Sequence, residues 1–376
     1  VIAGYDAPMT NTRNTLLQPF RFLASASLMF FALPWLMVLL ILGTVAQRYI
    51  GLYASQKLFF GSFVLWVGIM PLPGAYSTLA LIAGSLVAKL LLKPEINIRR
   101  SGTLLVHASA VVLLLGGLVS ALAREEGYVV LADGQSARSV SDYRLRELAV
   151  LKNDATLAVL PVGKLRAGET LAGDDLPFTV RLVRYCYPCG GMKREKVTDD
   201  LRGAAQKIDL AGVPPLADES RNLTGAVLDV HGAGGSQDGV YVFYEAFAAP
   251  PVITIGKDRY TLAVRAAQRP LPFSIRLRHF TRSDYPGTDE VRAYRSDVTV
   301  GDGGLEWNTA IEMNRPLRYK GYTLYQSSFV VDGDKTMSVL AVVKNAGAWF
   351  PYIAITMLCA GLLLHIFIML REKWPA

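Results

Sequence analysis

Four long apolar runs, at residues 26–46, 75–92, 102–122 and 348–370, interrupt an otherwise mixed sequence. Each is close to the ~20 apolar residues that carry a helix across ~30 Å of hydrocarbon, so the pattern predicts four membrane-spanning helices. A shorter apolar stretch at 58–70 runs into Pro71, Pro73 and Gly74. It predicts an interfacial or re-entrant piece rather than a fifth crossing. Pro34, inside the first run, is expected to bend that helix or to free a carbonyl for a neighbouring helix.

Between the third and fourth runs the period changes to two. Alternating segments at 128–132, 148–152, 178–185, 226–230, 240–247, 259–264, 273–280, 291–300, 322–328 and 337–343 are separated by Gly, Pro, Asp and Asn. Short alternating runs at this spacing predict an all-β domain of sandwich or barrel type over residues 123–347, long enough to bury a core of its own. The weakly apolar tracts 199–219 and 233–238 read as surface loops. Gly232-Ala233-Gly234-Gly235 lacks the Lys of a phosphate-binding loop and reads as a flexible turn. The expected organisation is a cytoplasmic N-terminus at 1–25, three spans over 26–122, the β domain, a fourth span and a short tail at 371–376.

Charge orients these spans. Apolar residues are 52% of the chain and charged ones only 19%, with a net charge of +8. Lys93, Arg99 and Arg100 lie between spans two and three, with Lys89 near the end of span two able to snorkel toward the same side; Arg371 and Lys373 follow span four, and Arg13 and Arg21 precede span one. The positive-inside rule then predicts N-in, C-in topology in a bacterial-type cytoplasmic membrane, with the β domain on the periplasmic side. Much of the positive excess is thus a topology signal and calls for no nucleic-acid partner. The first twenty residues do not read as a cleaved leader, so the first span is expected to act as the insertion signal.

Candidate chemistry is sparse. His107 and His365 lie inside the third and fourth predicted spans, where an imidazole loses its water and a functional partner is the default hypothesis. His107 is seven residues past Arg100 and His365 six before Arg371, which puts them roughly 10 Å and 9 Å from the same face. At equal depth the two could ligate one b-type haem iron. The competing reading is that each bonds a local carbonyl or hydroxyl. Cys186 and Cys189 flank Tyr187-Pro188 and are followed by Gly190, so the pair is a loop-closing disulfide or a redox dithiol and lacks the His of a c-type haem attachment site. Cys359 reads as a packing residue, and His231 and His279 as ordinary strand or surface histidines. No stand-alone catalytic constellation appears.

Several blocks resemble the ResB (CcsB) proteins of System II cytochrome c biogenesis. Leu23-Ala24-Ser25 and Leu42-Gly43-Thr44-Val45-Ala46-Gln47 are similar to the family's LAS and LGTxxPQ signature, with Ala46 where the family usually has Pro. His107 stands in a run similar to the family's histidine-bearing span. Asn314-Arg315-Pro316-Leu317 leading into Tyr319-Lys320-Gly321-Tyr322 and Tyr325-Gln326-Ser327-Ser328 resembles the NxPLxYxGYxxYQSS block and is the most specific match.

The resemblance implies an assembly factor that binds transmembrane haem at His107. It implies a ResC (CcsA)-type membrane partner and delivery of the haem to apocytochrome c outside the membrane. The five tryptophans are scattered, so the chain has no Trp-rich haem-handling loop of its own. His365 departs from the family pattern. It motivates an alternative, an electron-transfer subunit with a bis-His haem between spans three and four that passes quinol electrons to a periplasmic cytochrome. A third reading is a haem-free anchor of a membrane complex.

Overall fold

The computed structural model describes residues 22–92, 98–153, 155–162, 168–171, 176–218, 221–247, 249–288, 290–333 and 335–373. Arg13, Arg21, Lys93 and Trp374 lie outside the described residues. The chain divides into two compact units, one of residues 1–124 with 346–376 and one spanning Glu125–Asn345.

The first unit is helical. Its long helices are α1 (Ala26–Ile50), α2 (Ala75–Leu92), α3 (Ser101–Ala123) and α4 (Phe350–Lys373). Among the described residues three helices are long and apolar enough to cross a membrane: α1, α3 with the 3₁₀ turn Ile98–Arg100 that precedes it, and α4. The second expected span is present as α2 but is shorter. At 18 residues it is about 27 Å long, close to the hydrocarbon thickness. Pro34 lies inside α1, which continues through it to Ile50.

The apolar stretch at 58–70 is not a crossing helix. A helical turn over Leu52–Ser55 runs into a π-helical turn at Gln56–Phe60, and a small hairpin follows, β1 (Val64–Val67) paired with β2 (Met70–Pro73). The hairpin is held to α1 by the Trp35 indole, whose Nε1–H donates to the Pro73 carbonyl at 2.9 Å. Leu65, Leu39 and Ala75 close a small apolar core around it.

The second unit is antiparallel sheet throughout its main path. It begins with β3 (Glu125–Ala132), β4 (Ser136–Lys152), β5 (Ala155–Pro161), β6 (Thr170–Leu171), β7 (Thr179–Cys186) and β8 (Cys189–Lys193). There follow β9 (Ile208–Gly212), β10 (Gly225–His231), β11 (Gly239–Tyr244), β12 (Val252–Ile255) and β13 (Asp258–Asp284). It ends with β14 (Val291–Asp302), β15 (Leu305–Glu312), β16 (Leu317–Tyr319), β17 (Tyr322–Asp332) and β18 (Lys335–Lys344). The large sheet runs β15-β14-β13-β4-β3-β18-β17-β16, with β5 and β12 attached to β4 and β13. A smaller sheet runs β11-β10-β7-β6.

Two of the three apolar clusters in this unit are built along its longest strands. One gathers Val129, Phe273, Leu277, Val298, Leu324 and Leu340 of the large sheet. The other places Val180, Leu182, Leu228 and Phe243 of the small sheet against Leu148 and Leu262. β4 and β13 serve both cores, because these strands are 17 and 27 residues long. The segments 259–264 and 273–280, read separately from sequence, are therefore one strand. The intervening residues sustain it through register shifts opposite β4, which let the strand bend without ending. β10 is buried on both faces, which is why Ala226–Val230 reads as nearly unbroken apolar sequence. The unit begins and ends on paired neighbours, with Glu125 opposite Lys344.

Candidate functional site

α3 and α4 pack as an antiparallel pair, and glycines set how close they come. A Cβ on Gly102 would fall 2.5 Å from the His365 backbone nitrogen, and one on Gly361 would fall 3.0 Å from the Gly102 carbonyl oxygen and the Val106 nitrogen. Farther along, Gly116 abuts the Phe350 side chain. Backbone thus meets backbone along this seam, as small residues permit between apolar helices. Arg99 and Glu372, 3.0 Å apart, tie the start of α3 to the end of α4.

That register separates the two expected iron ligands. His365 lies opposite Gly102, while His107 is five residues farther along α3, about 7.5 Å on a helix axis. Counting from the flanking arginines predicts equal depth, because it assumes that Arg100 and Arg371 lie at one level. The glycine contacts show a staggered pairing instead. The closed seam also leaves no room for a porphyrin between the two backbones where Gly102 and Gly361 meet. His365 is half-buried, and its Nδ1 is buried without a hydrogen-bond partner.

His107 is engaged on its other side. Its Nδ1 lies 2.8 Å from the Thr103 carbonyl, one turn earlier in α3, and its Nε2 lies 3.1 Å from Lys89 Nζ on α2. The carbonyl can only accept, so Nδ1 carries the proton and Nε2 presents a lone pair, which the Lys89 ammonium takes as acceptor. A ring held by Nδ1–H donation to a carbonyl, with Nε2 directed away from its own helix, is the arrangement in which histidine ligates a metal. His107 Nε2 is therefore a nitrogen that would suit a haem iron, once the Lys89 contact is given up. Lys89 is the residue that reading from sequence assigns only to topology. A signal was available, since Lys89 lies within an apolar helix four residues before Lys93.

Cys186 and Cys189 form a disulfide at the turn between β7 and β8. Both residues are buried, among Leu201, Leu210, Val227 and Val242. Cys189 lies against Gly225 of β10, where a Cβ would crowd its sulfur. Cys359 is free and exposed on α4. His231 pairs through Nε2 with Asp229, which Arg181 also holds, and His279 pairs through Nδ1 with Asp133 at 2.9 Å. Both histidines are largely exposed at strand positions. Among the described residues no cluster of three or more His, Cys, Asp or Glu could hold a metal ion.

The block at 314–328 builds structure. Lys320 and Gly321 both have positive φ and form the two-residue turn between β16 and β17. The turn is clamped to β14, where Lys320 Nζ and the Tyr319 hydroxyl reach Asp302 Oδ2 at 2.5 and 2.6 Å. The Lys320 hydrogen bond, followed by that of Tyr319, holds the Asp302 carboxyl below its usual range; the same contact pushes the Tyr319 phenol and the Lys320 amine up. Gln326 turns into the core, where its Oε1 accepts from Ser296 at 2.6 Å and its Nε2 donates to Ser338 at 3.2 Å.

Comparison with known proteins finds a family likeness over part of the chain. Residues 252–340, from β12 into β18, match the model of the ResB-like family. Over 107 residues the chain is 32% identical to Protein NrfI of Wolinella succinogenes, an alignment that covers 28% of this chain and 12% of that protein.

Proposed function

We propose, from the premise that residues 252–340 form a ResB-like segment in a membrane protein, that the chain is a cytochrome c assembly factor binding transmembrane haem through His107. The observation that carries this reading is the posture of His107, with Nδ1–H satisfied by the Thr103 carbonyl and Nε2 presented toward α2. Haem, when bound, supplies a redox-active iron. The chain would hold it through the His107 imidazole, whose ring is fixed by its hydrogen bond within α3, and would keep water away with the apolar surfaces of α2 and α3.

In this reading the β unit lies on the periplasmic side of an N-in, C-in protein, as the distribution of Lys and Arg supports. There it docks a ResC (CcsA)-type partner and the apocytochrome. A cell lacking the chain is then unable to mature its c-type cytochromes, and His107→Ala fails to restore maturation although the protein accumulates in the membrane. Normal maturation with His107→Ala would refute the assignment.

A second reading, a bis-His haem that carries quinol electrons, draws on one observation, the buried and unpartnered Nδ1 of His365. The five-residue offset and the closed seam weigh against a shared iron. The His365→Ala variant separates the two: it matures cytochromes normally under the first reading and loses the haem spectrum under the second.

A further inference from the structure

We propose that Lys89 is a positioning residue for the haem carboxylates, its ammonium turning from the His107 Nε2 lone pair to an anionic group wherever that lone pair is taken. The inference deepens the reading above and rests on it. It starts from a conflict in the structure: the same lone pair that suits His107 to an iron accepts a hydrogen bond from Lys89 Nζ at 3.1 Å. The imidazole has no second acceptor to offer, because Nδ1–H is committed to the Thr103 carbonyl at 2.8 Å. Ligation at Nε2 therefore leaves an ammonium beside the occupied ligand with its partner gone.

An ammonium at the end of an apolar helix reaches outward for water or a counter-charge. Lys89 is well placed to find one. It lies in the last turn of α2, its side chain is exposed, and its four-carbon stem lets Nζ swing several ångströms while Cα stays fixed. A haem carries two carboxylates on one edge, which makes it a ligand that brings the required charge with it. Lys89 would then discriminate for a porphyrin with free carboxylates and set which edge faces the end of α2 where the chain continues to Arg99 and Arg100.

The test uses the purified full chain in detergent, titrated with ferric protoporphyrin IX or with its dimethyl ester and followed by the Soret band. The parent is expected to bind the free acid about tenfold more tightly than the ester, the size of one charge-assisted hydrogen bond. Lys89→Met should bind both alike with an unchanged histidine-ligated spectrum, and Lys89→Arg should restore the preference. Circular dichroism matching the parent shows that the variants are folded. Equal binding of acid and ester by the parent, or a preference that survives in Lys89→Met, overturns the proposal. Equal binding is also the result if Lys89 instead serves a lipid phosphate. A Soret band unchanged in His107→Ala overturns the underlying ligand reading as well, whereas a His107-dependent band without discrimination overturns the role of Lys89 alone.

Discussion

Gly102 faces the backbone of His365 so closely that a Cβ there would lie 2.5 Å from the His365 nitrogen and 2.7 Å from its Cα. The contact fixes the register of α3 against α4, and with it the distance between the two intramembrane histidines. Backbone cannot yield as a side-chain tip can. Gly102→Val should therefore force the helices apart and cost about 2 kcal/mol, in the range of overpacked cores. Thermal unfolding in detergent reads the loss.

The polar cluster of Gln326, Ser296 and Ser338 is fully enclosed between β14, β17 and β18. Gln326→Leu strands the hydroxyl partners of the amide in an apolar core. A loss of about 2 kcal/mol is expected, the cost of leaving buried polar groups without partners. Denaturant unfolding of the full chain, followed by tryptophan fluorescence from Trp307, should show the midpoint falling.

The clamp on the β16–β17 turn sets a pH window. The Asp302 carboxyl is held below its ordinary 3.8, so its contribution is complete above that value and disappears as pH falls through the lowered one. The Lys320 amine is raised above its ordinary 10.5, so its share is complete below that value and is lost as pH rises through the raised one. Asp302→Asn should lower the melting temperature at pH 7, with the difference from the parent shrinking as the buffer is taken to pH 3. A constant difference across that range would exclude the ionic clamp.

Much of this architecture is legible in the sequence, and the reasons differ by element. α1, α3 and α4 announce themselves because uninterrupted apolar runs of span length have few other uses. The strands 226–230 and 337–343 are visible for a related reason, since burial of both faces or of one writes a continuous or alternating pattern. The length of β13 is not visible. Gln268, Arg269 and Pro270 look like a break, and only their pairing with Ser139, Val140 and Ser141 of β4 keeps the strand going. The stretch at 58–70 is legible as something other than a span, being short and ended by Pro71 and Pro73, but the pairing of its second half as a hairpin is not. At the candidate site, His107 is found from sequence because histidine is rare in an apolar helix. The stagger of His365 is not, because flanking charges fix depth only to within a turn or two. Nor is the Lys89 contact, which depends on how α2 is rotated against α3.

Cys186 and Cys189 offer a test of whether the pair exchanges electrons. Both sulfurs are buried behind Leu210 and Val227, and Cys189 lies tight against Gly225. Attack by an external thiolate requires access to a sulfur. Under native conditions the disulfide should therefore resist millimolar dithiothreitol, and maleimide should label neither Cys186 nor Cys189. Labelling of both is expected once the protein has been treated with dithiothreitol in denaturant, where the reductant reaches the sulfurs and opens the bond. Rapid labelling in the native protein would mark the pair as an exchanging dithiol.

The central claim is that His107 supplies the axial nitrogen, and ligand rescue addresses it most directly. His107→Gly leaves a cavity where the imidazole stood without disturbing the seam at Gly102. The reduced optical spectrum of the purified full chain should show a histidine-ligated haem in the parent, its loss in His107→Gly, and its return when free imidazole is added. A His107→Gly protein that retains the parent's haem content and spectrum in the absence of imidazole would contradict the account.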